Sequence, residues 1–390
     1  MIFGVKMINK KMAVLALGFR PFYLLSSGWA IFAIFEWLLE LQGIGFRVFS
    51  FLQGMQWHAH EMIFGFAATV VTGFSLTAVR AWTGIDTPKD RSLLALVLLW
   101  IAARVGAYTG SILIVSDIIF LPVIAIVIGR LILRAKMYRN LFLPMILMLL
   151  GLLNLSFYLA VLGYINLDGN YIIFAALYLI VMIEIMIGNR VIPSFTANAI
   201  PGISQYKNQY LTRAAIISSV ITFSLLMVSS IGILNAQLCF ITAVFHLVLL
   251  WGWRPLATRS KPILWILHIS YLWIPMGFIF MGLAQLGLMT IYPALHIFGI
   301  GATGGLIIAM ITRTALGHTG RLLRAGSGEI ACYLGIQATL IVWLLANSKH
   351  NVWFYPLMVV AGFCWIGVFL VYLIKYFPML TKPRADGKPG

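Results

Sequence analysis

The sequence predicts an all-α fold: a polytopic membrane helix bundle of about twelve transmembrane helices, with both termini in the cytoplasm. Three observations predict it: the composition, the recurrence of long apolar runs, and the placement of the basic residues. Of the 390 residues, 62% are hydrophobic and 9% are charged, and the mean hydropathy is +1.00. Charged residues make up about 25% of ordinary soluble domains, so this composition indicates an integral membrane protein.

Apolar runs long enough to cross ~30 Å of hydrocarbon as helices follow one another along the chain. The first has basic residues before it, as in a signal peptide, but its length and the lack of a small-residue cleavage pattern favour a retained helix. The runs occupy residues 21–376 of one predicted bundle domain, 1–390, between cytoplasmic tails at 1–20 and 377–390. In order, the predicted helices are 21–41, 57–79, 92–110, 112–133, 141–163, 171–189, 211–232, 235–253, 262–286, 290–312, 328–346 and 352–376.

The basic residues test the number of helices, because Lys and Arg collect on the cytoplasmic side of a membrane. With the N-terminus inside, all of the 27 basic residues except Arg47, Arg104 and Lys349 fall on that side. A missed or an additional helix would scramble this alternation. The net charge of +17 therefore reports orientation, and membrane lipid, not nucleic acid, is the expected partner.

Two segments of the sequence resemble each other. "HEMIFGFAATVVTGFSLTAVRAWTG" begins at His60, and "LHIFGIGATGGLIIAMITRTALGHTG" begins at Leu295. The helices before them also begin alike, with Arg20-Pro21 and Lys261-Pro262. Helices 1 and 2 are therefore candidates for a copy of helices 9 and 10, although a restricted alphabet of small and apolar residues produces similar matches.

Six of the seven histidines are candidate metal ligands, while His350 falls in a short outer loop as a solvated side chain. Ionisable groups inside a membrane usually mark a site, and imidazole is the commonest metal ligand in proteins. A rise of ~1.5 Å per residue places the six in two layers, which favours two metal centres over six separate interhelical hydrogen bonds. The outer layer holds His58, His60 and His296, and the inner layer holds His246, His268 and His318.

Four charged residues are candidate supporting groups: Glu61, Glu184, Arg190 and Arg313. His58 and His60 point about 200° apart on a regular helix, so one of them is expected to be a ligand and the other a supporting partner unless the helix starts late. Glu61 is expected to orient a histidine ring, and the arginines either pair with haem propionates or anchor helix ends.

Small residues follow the histidines on helices 2 and 10, including Gly65, Gly73, Gly299 and Gly304. Such faces either leave room for a porphyrin in the outer layer or allow close helix packing. Cys239, Cys332 and Cys364 lie in separate apolar runs without CxxC spacing, so thiolate ligation is not expected.

Eight motifs point to a known family: "FRPFYLL", "WHAHEMIFGF", "TGFSLTAVRAWTG", "GNRVIPSFTANA", "LWGWRP", "LWILHISYLW", "ALHIFGIGATGG" and "TRTALGHTGR". Over nearly its full length the sequence resembles the NnrS family of bacterial inner-membrane proteins linked to nitric oxide stress. The resemblance implies haem b and copper, the six histidines as candidate ligands, a bacterial cytoplasmic membrane, and a small diatomic ligand such as nitric oxide. Whether such a protein turns nitric oxide over, and which redox partner it uses, is not implied.

Two other functions fit parts of the sequence. A secondary transporter is the common architecture for twelve spans, although histidine layers away from the midplane count against it. A divergent haem-copper-type nitric oxide reductase also has twelve helices, but that superfamily uses an adjacent His-His pair, and no such dipeptide occurs here.

Overall fold

A computed structural model describes residues 12–44, 52, 54–228, 232–348 and 352–388. Within these ranges all regular structure is helical, and twelve helices are long and apolar enough to cross a membrane, as predicted. Arg47, Lys349 and His350 lie outside the described residues. The helices are α1 (Phe19–Leu41), α2 (Gly54–Thr83), α3 (Asp90–Thr109), α4 (Ile114–Arg134), α5 (Tyr138–Val161), α6 (Gly169–Ala199), α7 (Gln209–Val228), α8 (Ile233–Gly252), α9 (Pro262–Gln285), α10 (Tyr292–His318), α11 (Ser327–Ala346) and α12 (Phe354–Thr381).

Three of these helices continue well past their predicted ends. Helix α6 runs to Ala199 instead of residue 189, with Pro193 inside it. Helix α10 runs to His318 instead of 312, so this histidine is the last residue of a helix, and α12 takes up the first part of the predicted C-terminal tail. Hydropathy reports only the stretch suited to hydrocarbon, and a helix can continue into polar sequence beyond it.

Helices α2 and α10 share an irregularity that the sequence did not predict. A π-helical stretch covers Glu61–Ala67 in α2, and another covers Ile297–Gly304 in α10. Each begins directly after a histidine, His60 in one helix and His296 in the other. Because π-helical turns are rare and are frequent at functional sites, this shared feature supports the proposed repeat of helices 1 and 2 in helices 9 and 10.

The middle of the bundle is built around these two helices. Helix α1 packs against both α2 and α12, α9 packs against α10, and α6 contacts both π-helical stretches. Helices α2, α6 and α10 therefore meet at the centre, and the remaining helices surround them.

The small faces of α2 and α10 are occupied by neighbouring helices at the positions where a planar guest was expected. A Cβ atom added to Gly65 would collide with Trp29 of α1, and one added to Gly304 would lie 2.9 Å from Trp365 of α12. Close helix packing explains the small residues at Gly65 and Gly304, whereas a Cβ atom added to Gly299 would meet nothing within 4 Å.

Candidate functional site

A fully buried ionic cluster lies in the predicted outer half of the bundle. Four consecutive helices contribute to it, and each of the residues is at most 2% exposed. Charged groups at such depth are costly to bury, so they occur with partners. The members are His60 and Glu61 from α2, Arg104 from α3, Asp117 from α4, and Asn154 and Tyr158 from α5.

Arg104 joins the two carboxylates of this cluster. Its Nη1 donates to Glu61 Oε2 at 2.5 Å, and its Nη2 forms an ion pair with Asp117. The guanidinium carbon also lies 5.9 Å from the ring centroids of both Trp29 and Trp100, within the range of cation–π attraction. Arg104, which the charge pattern set apart as a basic residue on the wrong side, is therefore the centre of a buried ion-pair network.

His60 is held by acceptors at both ring nitrogens. Nδ1 lies 2.8 Å from Glu61 Oε1, and Nε2 lies 2.9 Å from Asn154 Oδ1 and 3.4 Å from Asp117 Oδ2. The Asn154 amide orientation is fixed because its Nδ2 donates to the Asp117 carbonyl at 3.2 Å. Both ring nitrogens of His60 therefore face oxygen atoms of neighbouring side chains.

The three outer histidines lie against different helices. The His58 ring stacks on Trp37 of α1 with centroids 4.8 Å apart, whereas His60 points into the ionic cluster. The His296 ring stacks on Trp343 of α11 at 3.7 Å, and its Nδ1 donates to the Tyr292 carbonyl at 3.0 Å. Because a carbonyl only accepts, Nε2 of His296 carries the lone pair that a metal requires.

The inner layer contains one histidine whose two nitrogens are both paired. Ser219 donates to the Ala215 carbonyl, so its oxygen accepts from Nε2 of His246 at 2.9 Å. Nδ1 of His246 then accepts from the Tyr271 hydroxyl at 2.8 Å. This tautomer is assigned from the hydrogen-bond network, and it gives His246 a structural role between α7 and α9.

His268, one turn before Tyr271 on α9, has a different environment. Thr196 of α6 donates to the Ile192 carbonyl, so its oxygen accepts from Nε2 of His268 at 2.9 Å. The lone pair is then on Nδ1, which is buried and has no hydrogen-bond partner among the described residues. A buried imidazole nitrogen held in this tautomer by its other nitrogen is the usual arrangement of a metal-ligating histidine.

Arg190 of α6 and Arg313 of α10 both lie near the C-terminal part of α6. The Arg313 guanidinium lies 4.0 Å over the ring of Phe195, the residue before Thr196, and no carboxylate within the described ranges pairs with it. Arg190 Nη1 donates to Asn140 Oδ1 at 2.8 Å. Arg313 is therefore the arginine placed to meet an anionic group near His268.

At the end of α10, the centroid of the His318 ring lies 5.5 Å from that of the Phe19 ring.

A cavity of about 80 Å³ lies between α2, α6 and α10. Its lining is apolar apart from Glu184 of α6, whose Oε2 atom is buried without a partner in the part of the chain that the structure describes. Leu267, which adjoins His268, and Ile192, one turn before Thr196, line the same cavity. The cavity therefore approaches the inner histidine layer.

No group of three or more His, Cys, Asp or Glu side chains among the described residues is placed to hold a metal ion. Cys239 and Cys332 are buried thiols, as expected. In these two layers both ring nitrogens of His60 and His246 have partners, whereas His268 and His296 each keep a lone pair.

Several members of these networks were not predicted. Arg104 and Asp117 could have been found, because each is an ionisable residue inside an apolar run. Asn154, Ser219, Thr196 and Tyr271 carry no such signal, since single polar residues are common in membrane helices.

The fold and the two networks define a multi-pass membrane protein with titratable side chains buried between its helices. The family model for the NnrS protein matches residues 13–384, nearly the whole chain. The chain belongs to the NnrS family. A comparison with curated proteins finds no match.

Proposed function

We propose that this chain is a haem- and copper-binding protein of the bacterial cytoplasmic membrane that acts in resistance to nitric oxide. Membership of the NnrS family supports the role in the nitric oxide response, and the twelve helices support a multi-pass location. The observation that carries haem binding is the buried lone pair on Nδ1 of His268.

The residues near His268 fit a haem. Thr196 holds the ring in the tautomer that a ligand needs, and Arg313 offers a propionate a guanidinium that no carboxylate among the described residues pairs with. The small outer faces favoured haem in the outer layer, but Trp29 and Trp365 occupy them at Gly65 and Gly304, so we propose the inner layer as the haem site. Bound haem b would supply an iron able to bind a diatomic ligand such as nitric oxide.

Copper has less structural support than haem. The described residues do not form a preformed three-ligand group, and Nε2 of His296 is the outer nitrogen best placed to bind a metal. Copper binding in the outer layer therefore rests on the family resemblance, which implies His58 and His60 as further candidates, although both nitrogens of His60 already have partners.

The test is an absorption spectrum with metal analysis of the full-length, detergent-purified protein after cofactor-replete expression. We expect a haem band that is lost in His268→Gln and kept in His246→Gln. In His268→Gln the new side chain can still hydrogen-bond to Thr196, and in His246→Gln it can still hydrogen-bond to Ser219. Comparing the two variants therefore separates the loss of a haem ligand from the loss of packing. Equal haem content in the two variants would show that His268 is not the ligand.

A secondary transporter is the second candidate, and the cavity is the observation that favours it. Transporters bind substrates where internal repeats meet, next to irregular helices. The cavity lies between α2 and α10, which carry the π-helical stretches. A wild-type preparation with neither a haem band nor copper would favour this function.

A further inference from the structure

One carboxyl group lines the cavity between α2, α6 and α10, and one of its two oxygen atoms makes no hydrogen bond to the described residues. Oε2 of Glu184 has no partner among the described residues. The hydroxyl of Thr303, near the end of the π-helical stretch of α10, interacts with the Glu184 carboxyl. An unpaired polar group in such a place costs roughly 1 to 3 kcal/mol, so packing alone does not explain a glutamate there.

The rest of the lining identifies the body of the guest. It is built from apolar side chains of α2, α6 and α10 with the aromatic rings of Tyr23 and Phe74. A guest that fills it must be apolar over most of its surface and must reach Glu184 with a polar group.

Because Glu184 is the one carboxyl group in the lining, several classes of ligand do not fit the cavity. A divalent cation needs about six oxygen ligands, and one carboxyl does not supply them. An ammonium group has three donors and would leave two unmet in this lining. An acyl chain alone would leave Glu184 unpaired. A hydroxyl or carbonyl on a ring needs one partner at that edge, which a single carboxyl provides.

We infer that this cavity binds a membrane-soluble hydroquinone or its quinone, with one ring oxygen hydrogen-bonded to Glu184. A carboxyl suits both forms of such a ring, because an ionised carboxylate accepts from a hydroxyl and a protonated carboxylic acid donates to a carbonyl. Thr303 can take part in the same contact. The ring then lies among the apolar side chains, between the two helices that carry the π-helical stretches.

This inference deepens the proposed function, since a hydroquinone is a source of electrons for a haem protein, but ring binding itself does not depend on haem. Leu267 lines the cavity and precedes His268 in α9. A ring in the cavity is therefore close to the site proposed for haem.

The experiment measures quenching of tryptophan fluorescence when a short-chain ubiquinone analogue is added to the full-length protein in detergent, with haem content recorded on the same sample. We expect saturable binding, roughly tenfold weaker in Glu184→Leu because the single hydrogen bond to the ring is lost. Val191→Trp, which fills the cavity, should abolish it. Glu329→Gln and Ile221→Trp are the matched controls, because Glu329 is paired with Lys375 away from the cavity and Ile221 is exposed on α7.

An alkane-tailed benzene ring without oxygen substituents is the competing probe. Equal affinity for that probe, no saturable binding by the wild type, or unchanged binding in both Glu184→Leu and Val191→Trp would each overturn the inference. A wild-type protein that contains haem but does not bind the ring contradicts only this inference. A wild-type protein that binds the ring but contains no haem contradicts only the proposed function.

Discussion

Helices α2 and α10 begin with the same local structure and use it differently. In each, a histidine precedes a π-helical stretch, but His60 has both nitrogens engaged by Glu61 and Asn154, whereas His296 keeps a lone pair and stacks on Trp343. Both helices contain the π-helical stretch, but different helices pack against them. Helices α3 and α4 bring charges to α2, while α11 brings an indole ring to α10. A histidine at a repeated position thus becomes a structural ion-pair member or a candidate ligand according to what packs against it.

The largest expected effect comes from removing the cation that only the α2 region has. Arg104→Met leaves Glu61 and Asp117 buried without a counter-charge, which we expect to lower the free energy of unfolding by roughly 3 to 5 kcal/mol. Thermal unfolding of the detergent-purified protein, followed by fluorescence-detected size exclusion, measures it.

The compensating variant is Arg104→Met combined with Glu61→Gln and Asp117→Asn. Because it removes all three charges together, it should recover much of the lost stability. A single Arg104→Met protein as stable as the wild type would show that the cluster is not a stabilising unit.

The second prediction contrasts the two histidines directly. His60→Gln should lower stability by roughly 1 to 3 kcal/mol, because it leaves buried acceptors unpaired, and should leave haem and copper content unchanged. His296→Gln should lower the bound metal with a smaller effect on unfolding. Absorption spectra, metal analysis and unfolding curves on the same samples separate the two results, and the reverse pattern would make His60 the ligand.

The third prediction uses the glycines of the two "IFG" motifs. A Cβ atom at Gly65 would collide with Trp29 and Glu61, whereas one at Gly299 would meet nothing within 4 Å. Gly65→Ala should therefore cost roughly 1 to 3 kcal/mol, while Gly299→Ala should be close to neutral. The unfolding temperatures of the two variants measure this difference, and equal losses would mean that the two helices are packed alike.

The smallest effects are expected at the inner ends of these helices, where exposed aspartates meet basic residues. Asp86 follows α2, and its pKa is held below the usual range by a hydrogen bond from Lys89. Asp386 lies beside the end of α10, and hydrogen bonds from Arg384, which also donates to the His318 carbonyl, hold the pKa of its carboxyl below the usual range.

Because both pKa values are lowered on folding, any stabilisation is complete above the ordinary aspartate pKa of about 3.9 and is lost as the pH falls below it. Asp86→Asn and Asp386→Asn should therefore barely change the unfolding temperature at pH 7, and the small difference should stay constant between pH 7 and 5. A difference that changes within that range would point to another titrating group.

Sequence patterns predicted many residues of the candidate site, but not the hydrogen bonds and ring contacts that join them. In the structure the His58 ring stacks on Trp37, while His60 enters the ionic cluster and lies 2.8 Å from Glu61. Which of the two histidines is a ligand, and whether Glu61 orients one, stay predictions. The predicted ends of α6 and α10 were wrong, and the true length of α6 is what brings Thr196 to His268.

The sequence by itself determined the membrane class, the twelve helices and the family, because hydropathy and motifs are properties of consecutive residues. Tertiary structure decided which histidines keep a lone pair, because that depends on hydrogen bonds between helices that are distant in sequence. It also revealed the cavity beside Glu184, which exists only where α2, α6 and α10 meet. A histidine layer can be predicted from depth along a helix, but a ligand is chosen by the partners on the facing helices.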